Sequence, residues 1–321
     1  MQKKLKILNI RGEGFAQEGK QILEQLGQVD YVDINSEKEL LEKIEPYDVL
    51  VVGLTAKITS EILTRGKNLK IVATSTTGTD HIDLEAAKKK GVTVVSLKDD
   101  REFLNSVTST AELAFALMLI VSRNLLPAMI SVRQQNWDEK FMGHSLYAKT
   151  LGIVGLGRLG SMMARFAKPF NMKVVATDPG IGDDYFKQLG VEKLSLPELL
   201  KQSDFVSIHV HLSKETEGLF NLAAFSAMKP SAYLINTSRG KIVDEADLLK
   251  ALEKRYLAGY ATDVLDGELS FVPGLAEHPL IAYSKTHANV IITPHVGGVT
   301  AESREATDIF TAKKLVKLLQ Q

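Results

Sequence analysis

The 321-residue chain contains no cysteine. That excludes disulfides, thiolate nucleophiles and thiolate metal sites, and it fits a reducing compartment, the cytoplasm. An excess of charge of either sign is also missing, since 39 Lys plus Arg stand against 39 Asp plus Glu. Without a net field, counterion release offers no hold on nucleic acid or an anionic membrane, so any charge that matters must be local. Long apolar runs are lacking too. The longest, Leu113 to Val121, spans nine residues, against the roughly 18 to 20 needed to cross a bilayer, and is expected to form a buried helix. The start, Met1-Gln2-Lys3-Lys4-Leu5-Lys6, has neither the apolar core nor the cleavage site of a signal peptide. Neither a nucleic-acid partner nor a membrane partner is expected. The single tryptophan, Trp137, is expected to anchor a core or an interface.

What is present is an alternation of short β-branched runs with helical patterns. Lys6 to Ile10, Gln28 to Asp33, Asp48 to Gly53, Lys70 to Thr74 and Val92 to Ser96 are expected to be strands. Ser36 and Glu39 form a capping box before a helix, and Asp83 opens Leu84 to Lys90 before the stop at Gly91. A charged stretch, Lys98 to Glu102, and a long apolar helix from about Thr108 to Arg123 then interrupt the rhythm, and the domain hinge is expected there. A second series follows, with strands at Leu151 to Gly155, Lys173 to Asp178, Phe205 to His209, Tyr233 to Thr237, Ala258 to Val264 and Asn289 to Ile292. Six strands make one dinucleotide-binding sheet. The last helix, from about Thr300 to Leu319, is too little for a third domain and is expected to pack back on the first. The fold expected is α/β with two doubly wound parallel sheets. Residues 1 to 100 with 296 to 321 would form a discontinuous domain, and residues 101 to 295 the nucleotide domain.

The segment Leu151-Gly152-Ile153-Val154-Gly155-Leu156-Gly157-Arg158-Leu159-Gly160 is an apolar strand running into G-x-G-x-x-G and then into a helix. Gly155 permits a tight turn, Gly157 lets the backbone approach a pyrophosphate, and Gly160 allows the helix to pack closely on the strand. The N-terminus of the helix then faces the phosphates. Asp178 closes the next strand 18 residues after Gly160. A carboxylate there accepts from a ribose 2′-hydroxyl and repels a 2′-phosphate, which favours NAD over NADP. The plainer alternative for Asp178 is a loop cap.

Three further segments leave strand ends: Asn236-Thr237-Ser238-Arg239-Gly240, Ala261 to Glu268, and Ile291 to Gly298. With Gly78-Thr79-Asp80-His81-Ile82-Asp83 and Ala111-Glu112-Leu113, they give the chain its resemblance to the D-isomer-specific 2-hydroxyacid dehydrogenases, over essentially its whole length. The resemblance implies a flavodoxin-like substrate domain and a Rossmann NAD domain, a homodimer, and a 2-hydroxy or 2-keto acid as substrate. It implies Arg239, Glu268 and His295 as the catalytic set. Arg239 would bind the substrate's carboxylate and carbonyl oxygens, which suits a planar charged fork. His295 would act as acid and base, and Glu268 would fix its tautomer and favour its charged form. Gly155, Gly157, Arg158, Leu159, Gly160, Asp178, His209, Val210, Thr237, Ser238, Arg239, Asp263, His295 and Gly298 would hold NAD, with Asp263 on the nicotinamide carboxamide. The backbone N–H groups of Thr77 and Gly78 would bind the substrate carboxylate.

His209 and His211 share a strand face, but no third ligand completes a metal site beside them, so no metal is expected. His211 stands where the family has proline. His81 and His144 are expected at the surface or at a helix cap. The stretch Ser96 to Asn105 and the stretch Leu269 to Thr286 depart from the family's pattern, Pro does not follow Glu268, and no regulatory domain is expected after Leu319. Two other readings remain open: an NAD-sensing corepressor-like protein, and a formate or phosphite dehydrogenase.

Overall fold

A computed structural model describes residues 4–34, 36–54, 56–268 and 278–320. Runs such as Val49–Val52 and Ile71–Thr74 are buried throughout, as strands covered on both faces must be. In chain order the strands are β1 (Leu5–Asn9), β2 (Gly27–Tyr31), β3 (Val49–Val52), β4 (Ile71–Thr74) and β5 (Thr93–Val95). They pair in parallel in the order β2-β1-β3-β4-β5, the flavodoxin-like winding. A second set comprises β6 (Thr150–Val154), β7 (Lys173–Thr177), β8 (Glu192–Lys193), β9 (Phe205–Ile208), β10 (Tyr233–Asn236), β11 (Gly259–Thr262) and β12 (Val290–Ile292). It too is parallel, in the order β12-β11-β10-β9-β6-β7-β8. The direction of winding reverses between β6 and β9, the crevice where doubly wound sheets bind ligands. Seven strands replace the six expected. The addition, β8, is a two-residue, exposed edge strand, too short and too polar to leave a hydrophobic signal.

The sheets belong to two units, residues 1–107 with 299–321, and residues 108–298. The first is discontinuous because Ala301–Leu319 returns to it, setting Ala312 and Leu315 beside Ile7, Phe15, Leu23 and Val49. Asp308 on this helix is fully buried. It accepts from Arg11 Nη2 at 3.2 Å and from the Ala16 backbone at 3.3 Å, so its charge is paired rather than stranded. The unusual 96–105 stretch is pinned to the same helix. Lys314 bridges Ser96 O and Asp100, and Phe103 stacks on Phe310 with ring centroids 4.0 Å apart.

The caps legible in the sequence form, the Ser36 and Glu39 box through its Ser36 half. Ser36 Oγ accepts from Glu39 N, Asp83 accepts from Ala86 N, and Gly91 ends its helix in the left-handed region at φ +68°. One expectation fails, and another fails in half. His81 is fully buried, with Nε2 3.4 Å from Thr74 Oγ1, because an Ile58 to Ile82 bridge draws the turn inward. Trp137 is 88% exposed and anchors no core among the described residues, which leaves the interface half of its expectation.

The apolar helix, Ser109–Ser122, lies in the second unit and buries Ala111, Ala114, Leu117, Met118 and Val121. By length and composition Arg101–Ser122 could cross a membrane, yet Ser109–Ser122 packs as the core helix of a globular unit. Its neighbours are β10, β11 and the helix Arg158–Ala167.

Candidate active site

The candidate residues of the second unit sit beyond the C-terminal ends of neighbouring strands of one sheet. The glycine loop follows β6, Asp178 follows β7, His209 follows β9, Arg239 follows β10, Glu268 follows β11 and His295 follows β12. Parallel strands all point the same way, so a single sheet edge collects them.

Glycine is required at the loop for two different reasons. Gly155 has φ +95°, and a Cβ there would lie 2.8 Å from the His209 backbone across the crevice. At Gly160 a Cβ would come within 2.0 Å of Gly155 O. Both are demanded by the protein's own packing. Gly157 is not: its Cβ would meet no atom within 4 Å, and its φ of −70° suits any residue. Gly157 is also the N-cap of Arg158–Ala167 and provides no side-chain cap for the first N–H groups, an opening shaped for an anion. Nearby, Thr237 Oγ1 and His209 Nδ1 are buried with no hydrogen-bond partner among the described residues. Burial holds His209 down at about 4, hence neutral, with Nε2 2.8 Å from Ser207 Oγ. The open cradle and the orphaned polar atoms fit a bound dinucleotide.

Val210 packs its Cγ1 toward Gly155, and Leu159 lies half-buried in the first turn of the helix. Arg158 is largely desolvated, which lowers its pKa from the usual guanidinium value. Asp178 accepts from Leu156 N at 2.8 Å and from Gly180 N at 2.9 Å. It therefore ties the glycine loop to the next turn, whatever else it binds.

The acid/base geometry is explicit. His295 Nδ1 lies 2.6 Å from Glu268 Oε1, the short spacing of a charge-assisted bond. The other oxygen, Glu268 Oε2, accepts from Leu265 N at 3.1 Å, which holds the carboxylate in place. His295 itself has φ +53°, a left-handed conformation costing roughly 1 kcal/mol in a residue with a Cβ. Asp263 supports it. That carboxylate accepts from Thr293 Oγ1 at 2.6 Å, Val296 N at 2.8 Å and Gly297 N at 2.7 Å, while His295 N donates to Asp263 O at 2.9 Å. Burial raises the pKa of Asp263 against the pull of those donors. Gly298 follows with open space around its Cα.

Arg239 is half-buried, and its Nη1 donates to Ser238 O at 2.7 Å. Asn236 braces this loop, accepting from Ser238 N at 3.0 Å and donating to Arg239 O at 2.9 Å. Ser238 Oγ donates to Ile208 O at 2.9 Å and links the loop to β9. Gly240 then touches the turn that carries Glu268: a Cβ there would stand 2.1 Å from Leu265 C. The Arg239 and Glu268 segments are thus fitted to each other through backbone. Thr77 and Gly78 lie in the other unit, after β4, where Thr76 Oγ1 donates to Gly78 O at 2.7 Å. The supporting roles of Asn236, Asp263 and Thr293 went unread in the sequence, although all three stand inside the motif segments; their side chains serve backbone groups that only the fold reveals. Of Leu269 to Thr286, residues 269–277 lie outside the described residues and Pro279–Ser284 is a helix.

Residues 115–297 match the family model for the D-isomer specific 2-hydroxyacid dehydrogenase, NAD binding domain. The chain belongs to that family. Among its curated relatives, a D-3-phosphoglycerate dehydrogenase of Methanocaldococcus jannaschii is 36% identical over 93% of this chain and 55% of its own length. A glyoxylate reductase of Thermococcus litoralis is 38% identical over 86% of this chain and 82% of its own. The chain spans about half the length of the phosphoglycerate dehydrogenases it matches. Among solved structures, D-lactate dehydrogenase from Aquifex aeolicus, complexed with NAD and lactic acid, superimposes with a TM-score of 0.85. It is 30% identical, covering 98% of this chain and 95% of that one. As in the rest of the family, the second unit is an NAD-binding domain.

Proposed function

We propose that the protein is a cytoplasmic NAD-dependent oxidoreductase that interconverts a small D-2-hydroxy acid and its 2-keto acid. The observation that carries this is the 2.6 Å Glu268–His295 couple, set on the same sheet edge as the Arg239 loop and the glycine loop. When bound, NADH supplies the hydride that reaches the keto carbon. The Arg239 fork holds the substrate's carboxylate and polarises its carbonyl oxygen. His295 Nδ1 is engaged by Glu268, so Nε2 is the nitrogen that hands a proton to that oxygen. In oxidation the same nitrogen takes the proton back. Asp178 reads the ribose hydroxyl, and Asp263 holds the carboxamide while fastening the His295 loop.

The test is NADH oxidation with glyoxylate, hydroxypyruvate and larger 2-keto acids, alongside NAD reduction with formate and phosphite. Turnover of at least one 2-keto acid is expected. Tight NADH binding with no turnover would favour an NAD sensor, and turnover of formate or phosphite alone would also defeat the reading. In the same assay Asp178→Ala should raise the NADPH to NADH preference about tenfold, roughly 1.4 kcal/mol. The ratio matters because loss of the ties to Leu156 and Gly180 weakens both cofactors alike. An unchanged ratio would leave Asp178 as a loop cap only.

A homodimer is part of this reading. The helix Ser109–Ser122 spends much of its apolar surface inside its own unit, and the contact falls to the segment that follows it. There Leu126, Met129, Ile130, Val132, Trp137 and Met142 are all exposed, at 41% or more, an apolar patch of the kind that marks an interface. Light scattering should give twice the chain mass, and Met129→Glu with Trp137→Glu should give a monomer. A wild-type monomer at micromolar concentration would refute it.

A further inference from the structure

Beside the Glu268–His295 couple lies a second carboxylate–imidazole pair with no part in the mechanism above. Glu245 stands in the first turn of the helix Glu245–Glu253. Its Oε2 is 3.1 Å from His278 Nε2, and both side chains are largely buried, at 14% and 13% exposure. Its Oε1 accepts from Asp266 N at 2.9 Å. Asp266 belongs to the same turn as Glu268, whose own Oε2 accepts from Leu265 N. Two carboxylates therefore grip adjacent N–H groups of one turn, Glu268 from within it and Glu245 from outside. Gly240 closes a third side by backbone contact with Leu265 and Asp266.

We propose that Glu245, held between Asp266 and His278, is a positioning residue for the Glu268–His295 couple, fixing the turn that carries Glu268 and supplying a negative charge that retains the couple's proton at alkaline pH. The inference rests on the acid/base reading above.

The charged and titratable groups around Glu245 are His278, Asp266, Glu268, its own N-cap neighbour Asp244, and the buried Tyr260 hydroxyl. Burial, then the nearby Asp266, Glu268 and Asp244 carboxylates, push Glu245 up to about 7, against the lowering effect of the Asp266 N–H. Burial moves His278 the other way, below the usual imidazole range. Near neutrality the pair therefore passes from a neutral carboxyl donating to a neutral ring to a carboxylate accepting from it. The sign follows. Above about pH 7 Glu245 becomes negative, and a negative charge near the couple favours its protonated form. Keto-acid reduction needs that proton, so the alkaline fall in rate is postponed.

The experiment is a histidine-ring NMR titration of the cofactor-free protein, with His295 assigned by its loss in His295→Asn. In Glu245→Gln, an isostere that keeps an acceptor for Asp266 N, the His295 midpoint should fall by about half a pH unit, as expected for removing a nearby, partly screened unit charge. Glu245→Asp, which keeps the charge but draws it back one methylene from Asp266 N, should lower the midpoint by less than Glu245→Gln does. Superimposed curves for wild type and Glu245→Gln would overturn the proposal, as would an equal shift in Glu245→Asp, which would mean lost packing. The alkaline limb of kcat/KM for reduction should follow the same displacement. If the titration moves but no keto acid turns over, the functional reading fails while the electrostatic link stands.

Discussion

Replacing His295 by Asn lowers kcat for keto-acid reduction by about two to four orders of magnitude, the usual worth of a positioned general acid, while NADH affinity stays within about threefold. Asn is the better substitution because the backbone at 295 has φ +53°, a conformation Asn tolerates and Ala resists. His295→Ala should match the kinetic loss with a lower Tm, so comparing the two separates chemistry from folding. Glu268→Gln should fall between wild type and His295→Asn. Its amide can still accept from Nδ1, but its NH2 would then face Leu265 N, a donor against a donor. Stopped-flow measurement of the hydride step with bound NADH decides the matter, and wild-type turnover in His295→Asn would remove that residue from the mechanism.

The second large effect separates glycines that look alike in the motif. Gly160→Ala must drive a methyl group to 2.0 Å from Gly155 O. The strand and the helix have to part, at a cost of about 3 kcal/mol, with nucleotide binding lost as well. Gly157→Ala meets no protein atom. Its Tm should change by no more than about a degree, any rise coming from lost freedom of the unfolded chain. Its NADH affinity should nevertheless fall about tenfold or more, since the methyl group occupies the space left for the pyrophosphate. Thermal melts with and without NADH read both quantities. Equal destabilisation by the two variants would show that Gly157 serves packing too.

These contrasts also show why some of the molecule was readable from sequence and some was not. Val49–Val52 and Ile71–Thr74 announce themselves because a strand buried on both faces has nothing but apolar residues to offer. The motif glycines and the ordered Arg239, Glu268 and His295 are legible because chemistry fixes their types and strand ends fix their places. His81 was misread because a polar residue in a turn is ordinarily solvated, and only the Ile58 to Ile82 bridge takes it inside. Trp137 was half misread because size predicts burial without saying in what. Glu245 and His278 were invisible for another reason. They lie 33 residues apart, and neither type in its own segment distinguishes a buried pair from a solvated one. The winding of β10 and β11 and the helix between them brings the two together.

The return of Ala301–Leu319 to the first sheet governs the order in which the protein can mature on the ribosome. All five strands of that sheet are made within the first 95 residues, but the apolar face holding Ile7, Leu23 and Val49 waits for Ala312 and Leu315. The intervening unit, residues 108–298, is one uninterrupted stretch and has its whole sheet available before then. The nucleotide unit can thus fold during synthesis while the sheet of the first unit still lacks one covering layer.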